Sequence, residues 1–387
     1  MRKIKMVMAP ALAAGLLAAG AAAAQAAATG HADSGDTYYV SPWGHAGHSD
    51  YSCGSAAHSS ISAAVAAARP GDTVVVCDGI YRDEVVIRKP LNLIGRAGAV
   101  IDATGQRKLN VGGEIGGSIG IGVVGTHDVR VSGLKVEHAG VDGILVWSSS
   151  YVSVTSNVVV HNGTLGVNLN GSSWSHVTNN VAEYNADGGF LVADDGGRTS
   201  HNDVSYNVAS HNAGGGGVIL AGHSTEGVID NLVSHNVLTD NGWMRSDSGG
   251  GVVIATDVAK ETVADNLVTA NNIHGNGLAG VTIHGHLPGQ NLNGNWITGN
   301  NIGVNDTIGD SIGLSASSFS KSVSVPDART TGILVGTASP IRVRISGNSI
   351  HDNHFGVFLE GKGARVYAAL SGNEYNYVDV PVEQIGG

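Results

Sequence analysis

Proline and aromatic residues are scarce in this sequence. Of its 387 residues only 8 are proline and 5% are aromatic, whereas 58 are glycine. No collagen period accompanies the glycine excess, so the glycines must serve tight turns, where a residue without a side chain adopts a positive φ at little cost. This composition favours one long solenoid over two or three compact domains, although the length permits either.

Basic residues are also few, with 21 Lys and Arg against 32 Asp and Glu. The formal net charge is −11, and it becomes −11 − 3 = −14 if residues 1–26, which hold three positive and no negative charges, are removed. This balance argues against nucleic acid or anionic lipid as a partner. It argues more weakly against a polyanionic glycan, unless a metal ion bridges the charges.

Long apolar runs are absent after the first residues. Residues 1–26 have the order of a secretory signal: Arg2, Lys3 and Lys5, an Ala/Leu run, and Ala24-Gln25-Ala26 as a cleavage site. A single membrane anchor is the alternative. No later stretch could span a bilayer, so we expect a secreted, extracellular protein.

Cysteine occurs only at Cys53 and Cys77. An exported chain with two cysteines favours one disulfide between them, and two buried free thiols are the alternative.

A five-residue stretch, Gly143-Ile-Leu-Val-Trp147, recurs along the chain. The first residue is always glycine, and the second and fourth are always Val, Ile, Leu or Phe. The copies begin at Gly143, Gly166, Gly189, Gly217, Gly251, Gly280, Gly332 and Gly356. This alternation predicts short strands with one buried face, which stacked copies would join into a continuous core.

The spacing of these glycines, 23 residues at its shortest, suits one coil of a β-solenoid and is too small for a four-stranded propeller blade. A second motif lies between the glycine strands, as in Ser156-Asn-Val-Val-Val-His-Asn162. It predicts a further strand and asparagine turns whose side chains bond from coil to coil. His161 and His211, which precede such asparagines, are interpreted as turn residues.

The chain before the regular coils has a different pattern. Residues 27–37 predict a disordered leader, and residues 38–117 a cap with the first coils. Apolar residues at helical spacing within 56–69 predict a short amphipathic helix. With a Cys53–Cys77 bridge, this helix would cap the solenoid formed by residues 118–387.

Glycine strands and asparagine turns at this period resemble secreted right-handed parallel β-helix proteins of the pectate-lyase-like superfamily. Tyr38-Tyr-Val-Ser-Pro42 and Gly79-Ile-Tyr-Arg-Asp-Glu-Val-Val-Ile87 are similar to the N-terminal part of many secreted members. The resemblance covers roughly residues 38–384. It implies an all-β, single-chain right-handed solenoid with an N-terminal helical cap, a fold that serves lyases, hydrolases, epimerases and binding proteins.

Outward-facing positions of the glycine strands predict a groove. Two residues past each strand, the chain carries in succession Ser149, Ser172, Asp195, His223, Asp257 and His286. Coils about 4.8 Å apart would place the last four in one line. Further candidates for sugar binding are Trp147, Asn170 and His284 on the strands, and Arg198, Trp243 and Arg245 beside them. Insertions near 222–230, 242–250, 285–294 and 304–331 would wall this groove, or are tolerated surface loops.

The groove residues allow two kinds of glycan chemistry. Hydrolysis needs two carboxyl groups, and Asp194 or Asp195 with Asp257 could supply them. A lyase or epimerase needs a base, for which His223 or His286 is suited, and often a cation, which Asp195 and Asp257 could hold as Ca²⁺. A solvated face with local Asp–His pairs is the alternative to a site.

The resemblance to particular enzymes is limited. Asp194-Asp195 with Gly222-His223-Ser224 resembles the Asp-Asp and Gly-His pairs of polygalacturonase-type hydrolases. However, Asn168-Leu-Asn170 replaces a carboxylate of those enzymes, and their Arg-Ile-Lys is absent. The sequence also lacks the Asp-Pro-His-Asp of alginate epimerases and the strand-end Lys/Arg set of pectate lyases.

The sequence therefore predicts a monomer that binds an extracellular polysaccharide and cleaves or modifies it as a lyase or glycoside hydrolase. The alternatives are a non-catalytic adhesion or metal-delivery β-helix, and a transition-metal site formed by His31, His45 and His48 with the groove histidines.

Overall fold

The structure is a computed structural model that describes residues 35–106, 117–244, 249–307, 330–361 and 363–386. The predicted signal at 1–26, most of the predicted leader, His31 and Arg245 lie outside these residues. Most of the 304–331 insertion also lies outside them.

Within the described ranges the chain forms three long parallel sheets and one short one. Sheet 1 contains β1 (Thr37–Val40), β2 (Thr73–Val76), β5 (Leu91–Gly95), β8 (His127–Ser132), β11 (Ser150–Thr155), β14 (His176–Thr178), β18 (Asp203–Ser205), β22 (Leu232–Ser234), β26 (Leu267–Thr269), β29 (Trp296–Thr298), β32 (Ile341–Ser346) and β35 (Val366–Ser371).

Sheet 2 contains the eight glycine strands and three further strands. They are β4 (Val85–Ile87), β7 (Ile121–Val124), β10 (Ile144–Trp147), β13 (Val167–Asn170), β16 (Phe190–Ala193), β20 (Val218–Gly222), β24 (Val252–Thr256), β28 (Val281–Gly285), β31 (Thr331–Thr337), β34 (Phe355–Gly361) and β37 (Val380–Gly386).

Sheet 3 contains the strands of the second motif, such as Val158–Val160, which lies between Asn157 and Asn162. They are β3 (Gly79–Tyr81), β6 (Ala99–Asp102), β9 (Lys135–Glu137), β12 (Val158–Val160), β15 (Val181–Glu183), β19 (Val208–Ser210), β23 (Val237–Thr239), β27 (Asn272–His274), β30 (Asn301–Ile302), β33 (Ser349–His351) and β36 (Glu374–Asn376). A short sheet 4 contains β17 (Thr199–Ser200), β21 (Val228–Ile229) and β25 (Val263–Ala264).

The glycine strands stack in the predicted register. The Cα partners run from Val146 through Leu169, Val192, Leu220 and Ile254 to Ile283. All of these side chains are at most 1% exposed and belong to one apolar core. The fold is a right-handed parallel β-helix, and the predicted fold class is confirmed.

Asparagine side chains connect the coils at the turns. Within one ladder Asn180 Nδ2 donates to Asn207 Oδ1 at 3.1 Å, and Asn207 Nδ2 donates to Val177 O at 2.8 Å. A second ladder has the same bonds, for example Asn212 Nδ2 to Asn241 Oδ1 at 2.8 Å. Because these amides are buried, each bond also provides a partner for a polar group whose burial without a partner would be costly. The predicted coil-to-coil role of the asparagines is confirmed.

The residue before most ladder asparagines has a positive φ, and several of these residues are aromatic. His161, Tyr184 and His211 all have φ of 56°, and their rings stack at 5.3 and 5.1 Å between neighbouring coils. His161 and His211 are exposed turn residues outside the sheet 2 groove, as interpreted from the sequence.

The cap differs from its prediction in extent. The helix α1 (Ile61–Ala67) lies within the predicted stretch 56–69. Ser60 accepts a hydrogen bond from Ala63 N at its start, and the extended Ala68 ends it just before Arg69-Pro70. β1 begins at Thr37, inside the predicted disordered leader, because Thr37–Val40 pairs with β2.

A disulfide joins Cys53 to Cys77, and the described residues contain no free cysteine. No described helix is long and apolar enough to cross a membrane.

Replacing Leu220 with Asp should prevent folding, because an unpaired charge would enter a core position with 0% exposure. The matched control is Val237→Asp, which places the same charge on the outward face of the same coil, where the side chain is 37% exposed. Circular dichroism and thermal melting measure both. A cooperative transition for Leu220→Asp near that of the unmodified protein would contradict the core assignment.

Replacing both cysteines with serine should lower the free energy of unfolding by about 3 kcal/mol, because the bridge closes a loop with a sequence separation of 24. Denaturant titration measures this difference, and the unmodified protein under reducing conditions should match the variant. Equal free energies of unfolding for the oxidised and the reduced protein would show that the bridge does not stabilise the fold.

Candidate active-site groove

The outer face of sheet 2 has an apolar floor. The third residue of each five-residue glycine stretch faces outward, yet Ile219 and Val253 are only 5% and 0% exposed. They pack with Ala221, Ala255 and the partly buried Leu191 in a cluster separate from the solenoid core. The surrounding loops therefore bury part of this face.

Two neighbouring cavities open on this floor and share Leu191 and His223. One, of about 460 Å³, is lined by Trp147, Asn170 and Asp195 among others. The other, of about 160 Å³, is lined by Asp257, His284 and His286 among others. We call the two cavities together the groove. It brings together Asp195, His223, Asp257 and His286, the four residues of the predicted line.

The register behind that prediction is wrong in one respect. Ser149 and Ser172 do not face outward, since they are 4% and 0% exposed and bond to backbone. Thr199, whose Oγ1 accepts from Ser172 N at 3.2 Å, takes their place in the next coil. Asp195 thus lies in extra residues between β16 and β17, and this insertion turns it into the groove.

Asp195 and His223 form the closer of the two aspartate–histidine pairs of the groove. His223 Nδ1 lies 2.9 Å from Asp195 Oδ2, and Asn170 Nδ2 donates to the same oxygen at 2.7 Å. Asn170 is held in turn, because its Oδ1 accepts from Gly196 N at 2.7 Å. The His223 and Asp195 side chains are 34% and 26% exposed, so a ligand can reach both.

The environment shifts the pKa values of this pair apart. Burial alone would lower the pKa of His223, but the hydrogen bond to Asp195 and the charges of Asp195, Asp257 and Asp194 raise it above its usual value. Burial alone would raise the pKa of Asp195, but the hydrogen bond and charge of His223 and the bond from Asn170 hold it below its usual value. Each shift favours the charged form of its residue, so His223 can act as a base only above its raised pKa.

The second half of the groove holds two histidines and an exposed carboxylate. His284 Nδ1 lies 2.9 Å from His286 Nε2, and His286 Nε2 lies 3.6 Å from Asp257 Oδ1. Burial and the charge of His286 hold the pKa of His284 well below its usual range, so His284 is neutral near pH 7. Asp257 is held by Glu261, whose Oε2 accepts from the backbone N of Asp257 at 2.6 Å.

Asp194 is not a groove residue. It is 0% exposed, and its carboxylate is turned towards the next coil. It accepts from the backbone N of His223, Ser224 and Gly227 and from Ser224 Oγ, at 2.7 to 3.0 Å. With these bonds Asp194 fixes the loop that begins at His223. Its contacts therefore support a role in positioning this loop and do not support a catalytic role.

The predicted sugar-binding residues divide between the groove and other surfaces. Trp147, Asn170 and His284 line the groove. Arg198 lines neither cavity and donates from Nε to Glu226 O at 3.2 Å. Trp243 is 56% exposed and also lines neither cavity. Arg245 lies outside the described residues.

Three groove residues escaped the sequence reasoning: Asp142, Asn168 and Asp187. Asn168 Nδ2 donates to Asp142 Oδ2 at 2.9 Å. Burial raises the pKa of Asp142 to about 7, with a further increase from the charge of Asp187, against lowering bonds from Asn168 and Leu165. The available signal was a polar residue at an outward strand position, Asn168, where neighbouring copies have Leu145 and Leu191.

The described residues contain no group of three or more His, Cys, Asp or Glu placed to hold a metal ion. The rings of His45 and His48 lie 3.6 Å apart between centroids in the N-terminal part, tilted by 49°, and neither lines the groove. Asp195 Oδ2 already faces N–H donors, whereas Ca²⁺ needs six to eight oxygen ligands. The surroundings of Asp195 and Asp257 therefore fit Ca²⁺ poorly.

Comparison with known proteins supports the architecture. A family model described as "Right handed beta helix region" matches residues 110–268. The chain resembles the right-handed parallel β-helix superfamily. No match was found among curated proteins.

Solved structures of that superfamily superpose on most of the chain. Pectate lyase Pel9A has 17% identity and a TM-score of 0.53, covering 88% of this chain and 78% of its own. The A-module of the Azotobacter vinelandii mannuronan C-5 epimerase AlgE6 has 20% identity and a TM-score of 0.57, covering 84% and 90%. PfbA, a surface adhesin of Streptococcus pneumoniae, has 11% identity and a TM-score of 0.57, covering 84% and 88%. At these identities the similarity shows the fold alone.

The raised pKa of His223 can be measured by following its imidazole resonances in an NMR titration. The midpoint should lie above the usual histidine value of about 6.5. Asp195→Asn should lower it, because the largest raising contributions come from Asp195. His161→Ala serves as the control, since this exposed turn residue lies outside the groove and its loss should leave the His223 midpoint unchanged. A midpoint for Asp195→Asn equal to that of the unmodified protein would contradict the pairing.

Proposed function

We propose that the protein binds an extracellular polysaccharide in the groove and cleaves or modifies it, by lyase or glycoside hydrolase chemistry. The observation that carries this proposal is the hydrogen bond between His223 Nδ1 and Asp195 Oδ2 at the centre of the groove. A histidine that a carboxylate orients, beside an apolar floor and Trp147, is suited to proton transfer on a bound sugar.

The geometry assigns distinct tasks to the two residues. With a proton on Nδ1 donated to Asp195, Nε2 of His223 is the atom that can accept a proton from the substrate or from a water molecule. Asp195 holds the ring in this orientation and stabilises the imidazolium that forms. Asn170 keeps Asp195 in place through its own hydrogen bond.

Two reaction types use such a base. In a lyase His223 would remove the proton next to an electron-withdrawing group of the sugar. In a hydrolase Asp257, whose side chain is 61% exposed, would be the second carboxyl group opposite Asp195. His286 borders Asp257, with Nε2 at 3.6 Å from Oδ1. The prediction of bound Ca²⁺ stays a prediction, and we derive no step through it.

Secretion and a monomeric state also stay predictions. The Cys53–Cys77 disulfide supports export, because disulfides persist in oxidising compartments. The negative net charge of −11 supports the absence of nucleic acid among the partners.

A non-catalytic surface or adhesion protein is the second candidate. The similarity to the adhesin PfbA, with a TM-score of 0.57, favours it to the same degree that the enzyme structures favour catalysis. Such a protein would bind glycan in the groove without releasing products.

A screen of soluble polysaccharides, with and without chelator, tests the proposal. Reducing-end release or absorbance of unsaturated products reports cleavage. On the substrate found, His223→Ala and Asp195→Asn should each lower turnover by about 10²–10⁴-fold, the range for loss of a general base or its orienting partner.

The matched control is His211→Ala, which removes an exposed turn histidine outside the groove and should retain full turnover. Full activity of both groove variants would refute the assignment of the site. Binding of a glycan with no product formed would favour the adhesion candidate.

A further inference from the structure

We propose that the outer face of sheet 1 has a second binding surface, which takes an acidic polysaccharide by its carboxylate or sulfate groups. This arginine surface consists of Arg342, Arg344 and Arg365 with the rings of Trp296 and Tyr367. It lies outside the groove, and the inference does not depend on the chemistry proposed there.

The three arginines lie in two neighbouring coils of sheet 1. Arg342 and Arg344 belong to β32, where both side chains are exposed and Val343 between them is buried. Residues two apart on a strand are separated by about 7 Å. The exposed Arg365 directly precedes β35, the strand that pairs with β32. The fold thus brings three guanidinium groups to one side of the solenoid.

Aromatic rings position two of these side chains. Arg344 Cζ lies 4.3 Å from the centroid of the Trp296 ring, and Arg342 Cζ lies 4.8 Å from that of Tyr367. Trp296 is fixed in turn, because its Nε1 donates to Ser346 Oγ at 3.1 Å. Stacking covers one face of a guanidinium and leaves its N–H edge available to an anion.

The third arginine contacts the same tyrosine. Arg365 Nη1 donates to Tyr367 Oη at 3.4 Å. This hydrogen bond lowers the pKa of Tyr367 against the opposing effect of burial, and the charges of Arg365 and Arg342 lower it further. Two positive charges therefore act on one ring, and an anion bound between them would offset their mutual repulsion.

None of the three arginines has an acidic partner among the described residues. In those residues only Arg82 and Lys135 form the ion pairs of Arg or Lys with a carboxylate. The carboxylate of Asp265 lies two coils before β32, beside Gly294, whereas Arg342 turns towards the following coil. Because the chain has 32 acidic and only 21 basic residues, this surface is a local exception to its negative charge.

The charge of the whole chain favours a polysaccharide over other polyanions. Duplex DNA has one charge per about 1.7 Å and would place many phosphates against a protein of net charge −11. An anionic membrane would do so over a wider area. A single polysaccharide chain can contact the arginine surface alone, and each guanidinium can donate two parallel hydrogen bonds to one acidic group.

The test measures binding of polygalacturonate and of dextran sulfate by affinity electrophoresis of the full protein at low ionic strength. At least one of these acidic chains should bind, and high salt should weaken the binding. Replacing Arg342, Arg344 and Arg365 together with Gln should weaken it at least about tenfold. Single Arg342→Gln and Arg344→Gln variants, each with one exposed side chain changed, should weaken it by about threefold.

The matched control replaces Arg88, Arg96 and Arg130 together with Gln. These arginines are exposed and lie in earlier coils, so the net charge changes equally while the arginine surface stays intact. The control should keep its affinity within about twofold. Melting curves check that both triple variants fold. His223→Ala should bind the acidic chain as tightly as the unmodified protein, so this inference can be tested even if the proposed function fails.

Equal affinity of the two triple variants for the acidic chains would overturn the inference, as would failure of both chains to bind. Tighter binding of duplex DNA or of anionic lipid vesicles than of either polysaccharide would also overturn it, because the surface would then serve another class of partner. Loss of binding in His223→Ala with full binding in the variant of the arginine surface would place the acidic chain in the groove instead.

Discussion

Parallel stacking of one coil on the next is the constraint on which the rest of the structure depends. Each strand bonds to the strands above and below, so the height of every residue along the solenoid is set by its coil. Asparagine ladders repeat this spacing at the turns through amide-to-amide bonds near 3 Å. Residues far apart in sequence thereby come to lie side by side at a predictable separation.

The groove exists because insertions interrupt this regularity on one face only. The coils with Ser149 and Ser172 bond their hydroxyls back to the chain and present no charge. In the next coil a few extra residues carry Asp195 outward. Its neighbour Asp194 bonds to His223 N and Ser224 Oγ and so holds the loop that starts at His223 in the following coil. The buried carboxylate of Asp194 thus fixes the loop, and the partly exposed carboxylate of Asp195 bonds to the imidazole of His223.

The groove has local chemistry that the fold alone does not set. A pectate lyase and a mannuronan epimerase share the architecture, but at 17% and 20% identity they carry only the fold to this chain. The groove here combines aspartates, histidines and aliphatic side chains. Substrate preference follows from such local chemistry and not from the solenoid that supports it.

The sequence by itself determined the architecture, because glycine strands, alternating apolar residues and turn asparagines are local patterns that repeat once per coil. It also predicted the disulfide. It identified Asp195, His223, Asp257 and His286 as candidate groove residues, because they lie at the same distance from the glycines of their strands.

Only the tertiary structure decided which way these side chains point and what they contact. An insertion between β16 and β17 shifts the register by a few residues, and counting from the glycine cannot reveal whether the chain loops outward there. For this reason Asp194, next to Asp195 in sequence, turned out to be a buried loop anchor, whereas Asp142 and Asn168 entered the groove unpredicted. Burial and pairing arise between coils, and they set the pKa values on which the chemistry depends.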